Sequence, residues 1–416
     1  MYYYPPVPGT AARRNQRIAK AIASRSEISV ICTASETSET SEGPGIQMKQ
    51  VKAWDYRAVL RRKNKDGALP EQQKESYIAQ WLIRLINTFP INIMAGEGGL
   101  WYLLGLLRRG AKDIREQGIT HIYSSFRPFT DHYAAYRLKQ KYPYLIWIAD
   151  FRDLIIDPHY GHIFFAKAHQ RFFRKMFSTA DVLTTVSDGL AAHLRSYNPH
   201  VITLRNGIEE VHQVPTVATS HFTLAYTGSM FLDKRNAEPV FRALQELIQE
   251  TRLEGSDVRV IYAGKDGHYW KDLARNYRFE SLLDDHGIVS PEEAARIQKE
   301  VCINILLTIS SEALRGVLTG KMIEYFESGS PVLGIIVGEN DPELESILGQ
   351  LEAGKTFSDQ PHDLEGIKDF IYQEYLLWRQ TGCNRKPLKT EILRRHYSVD
   401  AVMQPLLAYL QLDEKT

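Results

Sequence analysis

The chain has 416 residues, 44% of them apolar and 24% charged, a composition that suits two or three folded domains and excludes a disordered, collagen-like or coiled-coil chain. Its 51 Lys and Arg nearly balance its 50 Asp and Glu, so the net charge of +1 supplies no overall field for nucleic acid, and any anion site must be local. The three cysteines, Cys32, Cys302 and Cys383, are too scattered for a disulfide framework or zinc knuckle and suggest a reducing cytoplasm; there is neither an apolar run of about 18 residues for a spanning helix nor the apolar core of a signal peptide.

A basic, helix-compatible segment from Arg13 to Ser24 leads into the β-branched run 27–32 (EISVIC), and a loop of Ser, Thr, Glu and Gly follows to about Gly45. Residues 77–109 are rich in Trp, Leu and Ile and carry Arg84, Arg108 and Arg109. They follow a basic stretch of Arg57, Arg61, Arg62, Lys63 and Lys65. This pattern suits either an interfacial helix at a membrane or packing into the first domain. Next come a strand at 119–124, a helix at 130–141 and an apolar run at 144–149 that ends in an acidic turn, Asp150 to Asp153. A helix through Arg171, a strand at 181–186, a helix at 188–196 and a strand at 201–204 precede the turn dipeptide Asn206-Gly207. Residues 210–220 carry Pro215 and little periodicity, as a linker would.

A second alternation begins at 222–227 and continues with helix 237–251, strand 258–263, helices 269–276 and 291–300, and strand 302–308. Helix 321–328, strand 331–337, helix 342–348 and the helical regions 364–379 and 399–412 complete it. Alternation of this kind implies parallel sheets covered on both faces, here twice. The expected fold class is α/β, with two Rossmann-like domains facing across a cleft. The domains are expected at 1–209 and 221–395, joined by the linker 210–220. A C-terminal helical segment, 396–416, is expected to pack back toward the first domain.

Ligands of open parallel sheets bind beyond the carboxyl ends of the strands, where helix N-termini present free N–H groups. Four loops stand there: 5–10 (PPVPGT), 150–153 (DFRD), 227–235 (TGSMFLDKR) and 319–331 (TGKMIEYFESGSP). Gly320 allows close backbone approach and Lys321 opens a helix, a combination that suits a diphosphate; Glu324, one turn on, suits a ribose diol. Gly228 and Ser229 end another strand with Lys234 and Arg235 nearby, again fit for phosphate. Each also has an ordinary reading, a capped helix or a turn. In the acidic turn, Asp153 is the first choice to orient or deprotonate an acceptor hydroxyl, Asp150 the second, against an Asp–Arg pair with Arg152 that merely pins the turn. His132, at the start of a helix, could reach the same side or could be a surface residue. Residues 349–356 (GQLEAGKT) fit the Walker A letters, but a helix-like run precedes them and Pro361 follows, the wrong context. His159, His162 and His169 with Asp157 match zinc spacing only loosely.

The order of VSDGL at 186–190, NGIE at 206–209, YTGSM at 226–230, HGIVSPEEAARIQ at 286–298 and TGKMIEYFESGSPVLG at 319–334 resembles retaining glycosyltransferases of the GT-B fold, family 4 (group 1). In the first half, YYYPPVPGTAARRN resembles the first loop of that family, and 124–154 resembles a stretch of members that build bacterial surface polysaccharides. The resemblance implies that the second half binds a nucleotide-sugar donor and the first half an acceptor. Glu324 matches the second glutamate of the family's E-x7-E motif, which holds the donor ribose. The first would fall at Gly316, a departure that bears on contact with the transferred sugar. A subgroup with a Gly-Lys-x-x-Glu-Tyr form shows a similar change, and there Lys321 would face the diphosphate. Gly228, with Lys234 or Arg235, matches the loop that neutralises the donor phosphates. Gly9 matches the glycine of the first loop, with Arg13 or Arg14 close behind. Only Met1 to Tyr4 precede that loop where the family has a full strand, so either the start is trimmed or the central strand is short.

The activity this implies is transfer of a sugar from a nucleotide diphosphate sugar to a glycan or lipid-linked glycan with retention. Gly228, Arg235, Gly320 and Lys321 would stabilise the leaving diphosphate, with neither metal nor cofactor beyond the nucleotide-sugar substrate. Nucleic acid is not an expected partner; peripheral contact with the cytoplasmic membrane face stands as the alternative to packing of residues 77–109 into the first domain. The alternatives are a sugar-nucleotide epimerase or hydrolase on the same fold, and a noncatalytic glycan-binding or scaffold paralogue.

Overall fold

A computed structural model describes the chain apart from residues 6, 8, 34–44, 54–76, 157–162, 231–234, 312–319, 387 and 412–416, and apart from the side chains of 77–80 and 83. The backbone divides into two compact units, residues 1–205 with 402–416, and residues 206–401.

The first unit contains α1 (Thr10–Ala23), β1 (Ile28–Thr33), β2 (Ile46–Val51), α2 (Tyr77–Asn87), α3 (Ile91–Met94), α4 (Gly99–Gln117) and β3 (His121–Ser125). It continues with α5 (Phe129–Lys141), β4 (Ile146–Phe151), α6 (Ala166–Phe177), β5 (Val182–Thr185), α7 (Asp188–Leu194) and β6 (Val201–Thr203). Its strands form two parallel sheets, β1-β2 and β3-β4-β5-β6. Strand β4 (IWIADF) is buried along nearly its whole length, which is why its sequence is an unbroken apolar run until Asp150. Trp147, Phe151, Phe173, Met176 and Phe177 form the core between this sheet and α6.

The second unit contains β7 (Phe222–Thr227), α8 (Glu238–Gln249), β8 (Val258–Ala263), α9 (Gly267–Tyr277), β9 (Leu283–Asp285), α10 (Pro291–Glu300) and β10 (Ile303–Ser310). After these come α11 (Gly320–Ser328), β11 (Val332–Gly338), α12 (Pro342–Gln350), β12 (Gly354–Ser358), α13 (Leu364–Thr381) and α14 (Thr390–Tyr397). The last helix, α15 (Val399–Tyr409), ends in the first unit, where the Tyr409 hydroxyl donates to the Asp181 carbonyl at 3.1 Å.

The second sheet runs β12-β11-β10-β7-β8-β9, all parallel. In chain order this is the doubly wound Rossmann arrangement, and the strand order reverses between β7 and β10, which pair at Ile303 and Leu224. Helix starts are written locally: Ser290 caps α10 by accepting from Glu293 N–H, and Asp341 caps α12 by accepting from Glu343 and Leu344, each followed by proline. The Walker-like letters belong to α12 and β12. Lys355 pairs with Leu333 and Thr356 with Gly334 in the sheet ladder, so these residues form a strand and not a phosphate loop.

Candidate functional site

The carboxyl end of β7 lies at the reversal of strand order, and the chain there turns through Gly228. Its φ of 118° belongs to the region that favours glycine, and a Cβ on it would stand 2.6 Å from Lys321 Nζ. The turn thus favours glycine, and a side chain there would displace the end of the lysine lying across it. Lys321 occupies the first turn of α11, so the free N–H groups of that helix and the ammonium belong to one locality. Its Nζ stands 3.8 Å from the centre of the Tyr226 ring, is buried, and has no hydrogen-bond partner among the described residues. Burial, then the nearby Arg235, push its pKa down to about 7, against the opposing pull of Glu324. A buried amine with no acceptor, beside a second cation, is a position that an anion would complete.

Arg235 is fixed by the same turn. Its Nη1 donates to the Tyr226 hydroxyl at 2.9 Å and to the Ser229 carbonyl at 2.8 Å, and that hydroxyl also donates to Ser229 at 2.8 Å. Beneath them Tyr226, Trp270 and Tyr262 form a stack, Trp270 lying 5.6 Å from Tyr226 and 5.2 Å from Tyr262 between centroids. The Tyr262 hydroxyl donates to the Gly228 carbonyl at 3.1 Å and accepts from Asp266 N–H at 2.8 Å. The Asp266 carboxylate in turn accepts from Met230 N–H at 2.8 Å. A Cβ on Gly264 would fall 2.3 Å from the Gly228 carbonyl, so the loops after β7 and β8 are pressed together. Glu324 is half-buried on α11, one turn beyond Gly320. Of the donor-side residues expected from sequence, Gly228, Ser229, Arg235, Gly320, Lys321 and Glu324 occupy these two neighbouring segments; Lys234 and Gly316 lie outside the described residues.

The first unit corrects three expectations. Asp150 is not in the acidic turn but inside β4, fully buried. Its carboxylate accepts from Arg14 Nη2 at 2.8 Å and Nε at 3.3 Å, from the Thr184 hydroxyl at 2.8 Å and from the Ser125 hydroxyl at 3.3 Å. Burial pushes its pKa up, but the charge and hydrogen bonds of Arg14 outweigh that and hold it below the usual carboxylate range. With its lone pairs engaged and solvent excluded, this carboxylate is closed to an acceptor hydroxyl. Breaking one side of such a buried pair costs about 3–5 kcal/mol. Asp150 is therefore paired within the sheet with Arg14 of α1, and not with Arg152, which instead donates to the Phe126 carbonyl at 2.9 Å. Of the two arginines close behind Gly9, whose φ is 125°, Arg14 is thus held against Asp150 while Arg13 lies on the exposed face of α1.

The third correction is His132. It is a core residue, 0% exposed, with Nδ1 at 2.7 Å from the Ser124 hydroxyl and its ring among Phe126, Phe151 and Phe177. Burial drives its pKa down to about 3, so it stays neutral and out of reach of substrate. Asp153 alone of the three is exposed. His169 uses both ring nitrogens, Nε2 accepting from Phe89 N–H at 2.8 Å and Nδ1 donating to the Phe165 carbonyl at 3.2 Å, which leaves neither for zinc. Asp157, His159 and His162 lie outside the described residues.

No protein-family model matches the chain, and no curated protein matches it in sequence. Its backbone is similar to solved structures along nearly its whole length. Sucrose-phosphate synthase from Thermosynechococcus elongatus superposes with a TM-score of 0.62 at 12% identity, over 98% of this chain and 94% of that one. Trehalose-6-phosphate synthase OtsA gives 0.56 at 10% identity, over 99% and 98%. WaaG, a glycosyltransferase involved in lipopolysaccharide biosynthesis, gives 0.54 at 10% identity, over 100% and 99%. The chain has the GT-B fold. In this GT-B chain the sequence reading passed over Tyr226, Tyr262, Gly264 and Asp266, because a tyrosine inside an apolar strand reads as core. The signal available was the Gly-Lys-Asp-Gly run at 264–267, directly after a strand.

The first unit also exposes several large apolar side chains. Trp81 of α2 is 53% exposed and Trp101 of α4 69%, and Leu82, Met94, Leu100 and Phe165 are exposed as well. No helix among the described residues is long and apolar enough to cross a membrane. The basic stretch 57–65 lies outside them.

Proposed function

We propose that the chain is a retaining glycosyltransferase of the family 4 kind that moves a sugar from a nucleotide diphosphate sugar to a glycan or lipid-linked glycan. The second unit holds the donor and the first the acceptor. The observation that supports this reading most is the Lys321 amine, buried without an acceptor at the β7–β10 reversal and laid across Gly228. Nucleotides bind doubly wound sheets at that point of the topology. In transfer, negative charge grows on the leaving diphosphate, and cations and helix N–H groups fixed around it stabilise the transition state more than the ground state. Lys321, Arg235 and the start of α11 take that role, Glu324 accepts from the ribose hydroxyls, and neither a metal nor a cofactor is required. Asp153 is the acceptor-side carboxylate. The exposed Trp81 and Trp101 suit peripheral contact at a cytoplasmic membrane face, where a lipid-linked acceptor would be presented.

The test is a mass-spectrometric screen of nucleotide sugars, with a pooled acceptor extract, for release of free nucleoside diphosphate. One donor should be consumed by the wild type and at least tenfold more slowly by Glu324→Ala. Diphosphate binding without consumption of any donor would favour the noncatalytic paralogue, and consumption of a donor without an acceptor would favour the epimerase or hydrolase.

A further inference from the structure

One side chain touches both cations of the donor site. Tyr226 stands near the carboxyl end of β7, in the alternate row Phe222, Leu224 and Tyr226 that the strand turns into the core of the second unit. Phenylalanine would fill the same space but would lack the hydroxyl, which is engaged twice. It donates to the Ser229 carbonyl at 2.8 Å and accepts from Arg235 Nη1 at 2.9 Å. The ring is engaged as well: Lys321 Nζ stands 3.8 Å from its centre, and Trp270 stacks against it with 23° between the planes. Tyr226 is fully buried, so it acts on a ligand through the two cations and not by contact.

A buried ammonium needs compensation, because burial penalises its charged form. A carboxylate at hydrogen-bond distance would supply it, but would also occupy the N–H groups and compete with an incoming anion. An aromatic face compensates differently: its quadrupole attracts the charge without offering a lone pair to the N–H groups. That is the arrangement at Lys321, whose Nζ is reached by no hydrogen-bond acceptor among the described residues. The charged groups that bear on the amine are Arg235 from the loop after β7, which opposes its charge, and Glu324 of α11, which favours it. Gly228 leaves the space through which the amine meets the ring, since a Cβ there would stand 2.6 Å from Nζ and 2.8 Å from Cε. Burial raises the pKa of the Tyr226 hydroxyl, against the opposing charge of Arg235, so the phenol stays neutral beside both cations.

We propose that Tyr226 is a positioning residue of the diphosphate site: its ring face seats the Lys321 ammonium and its hydroxyl seats the Arg235 guanidinium, so that one buried side chain sets the place of both cations. This rests on the reading of the site as one for a nucleoside diphosphate, and adds to it a residue that touches no ligand. The two handles are separable by substitution. Tyr226→Phe keeps the ring and removes the anchor of Arg235, whereas Tyr226→Leu removes both. The first should weaken diphosphate binding about fivefold and the second at least about thirtyfold. Loss of the ring also makes the ammonium easier to discharge. The fall in affinity with rising pH should therefore begin at lower pH in Tyr226→Leu and stay in place in Tyr226→Phe.

Calorimetric titration of the full chain with UDP, GDP and ADP, between about pH 6 and 9, tests this on the wild type, the two tyrosine variants, Lys321→Met, and Tyr226→Leu combined with Lys321→Met. Because leucine opens space in the core, the combined variant separates positioning from damage. If the ring acts through Lys321, the leucine should cost no more than about fivefold once the lysine is gone, the share carried by the hydroxyl. Additive losses, with the pH profile of Tyr226→Leu unmoved, would overturn the proposal. Tyr226→Phe keeps the packing and decides the matter where Tyr226→Leu does not fold: wild-type affinity in Tyr226→Phe overturns the proposal, and leaves the diphosphate site standing if Lys321→Met weakens binding. A wild type that binds none of the three nucleotides would instead remove the diphosphate reading, and this role with it.

Discussion

Lys321 carries the clearest chemical signal because its neighbours make its charge conditional. Its pKa is about 7, lowered by burial and by Arg235. A bound diphosphate favours the ammonium, so the complex retains the proton to higher pH than the free protein does. Affinity for a nucleoside diphosphate should therefore be highest below pH 7 and fall as pH rises above it, by up to about tenfold per pH unit. The sign for stability is opposite. Between pH 7 and the ordinary lysine value the unfolded chain holds the extra proton, so the free protein gains stability as pH rises through that window. Titration of UDP binding between pH 6.5 and 9 checks the first effect; Lys321→Arg should flatten the slope, and a flat wild-type profile would remove Lys321 from the phosphate site. At this scale the sequence was legible where a loop carried its own chemistry, as at Gly228 and Lys321. It was opaque where partners lie far apart in the chain. Nothing local to Asp150 announces Arg14, and nothing local to His132 announces the ring of Phe126, Phe151 and Phe177 that closes over it.

Elements with a strong apolar period or a continuous apolar run were readable nearly to the residue: β7, β8 and α10 fall where their patterns place them. Those that escaped are short or polar. β2 (IQMKQV) has no fully buried residue and β9 (LDD) spans three residues, so neither supplies the β-branched run expected of a strand. β12 was hidden by its resemblance to a phosphate loop; only its ladder with β11 shows that Lys355 is a strand residue. Helices α2 and α4 carry a distinct consequence. Their tryptophans stand more than half exposed, where a helix that only packed inward would bury them. If this surface meets lipid, sedimentation with anionic vesicles at low salt should capture the wild type, and Trp81→Ala with Trp101→Ala should reduce capture at least fivefold. Wild type left in the supernatant would make the surface something other than a membrane contact.

For the whole molecule, the repeated alternation of strand and helix was sufficient to anticipate two parallel α/β units, and the backbone similarity to GT-B structures agrees with that class. What alternation could not convey was how the first unit closes. Its strands divide into two sheets edged by a cavity, whereas the second unit completes an unbroken sheet around its reversal point. The proposed function therefore rests most heavily on the second unit, and within it on one diphosphate site. Calorimetric titration of the wild type and Lys321→Met with UDP, GDP and ADP at pH 6.5 tests it most directly. The account predicts one site per chain for one of these nucleotides, weakened at least tenfold by Lys321→Met; absence of binding to all three, or equal affinity in the two proteins, would contradict it.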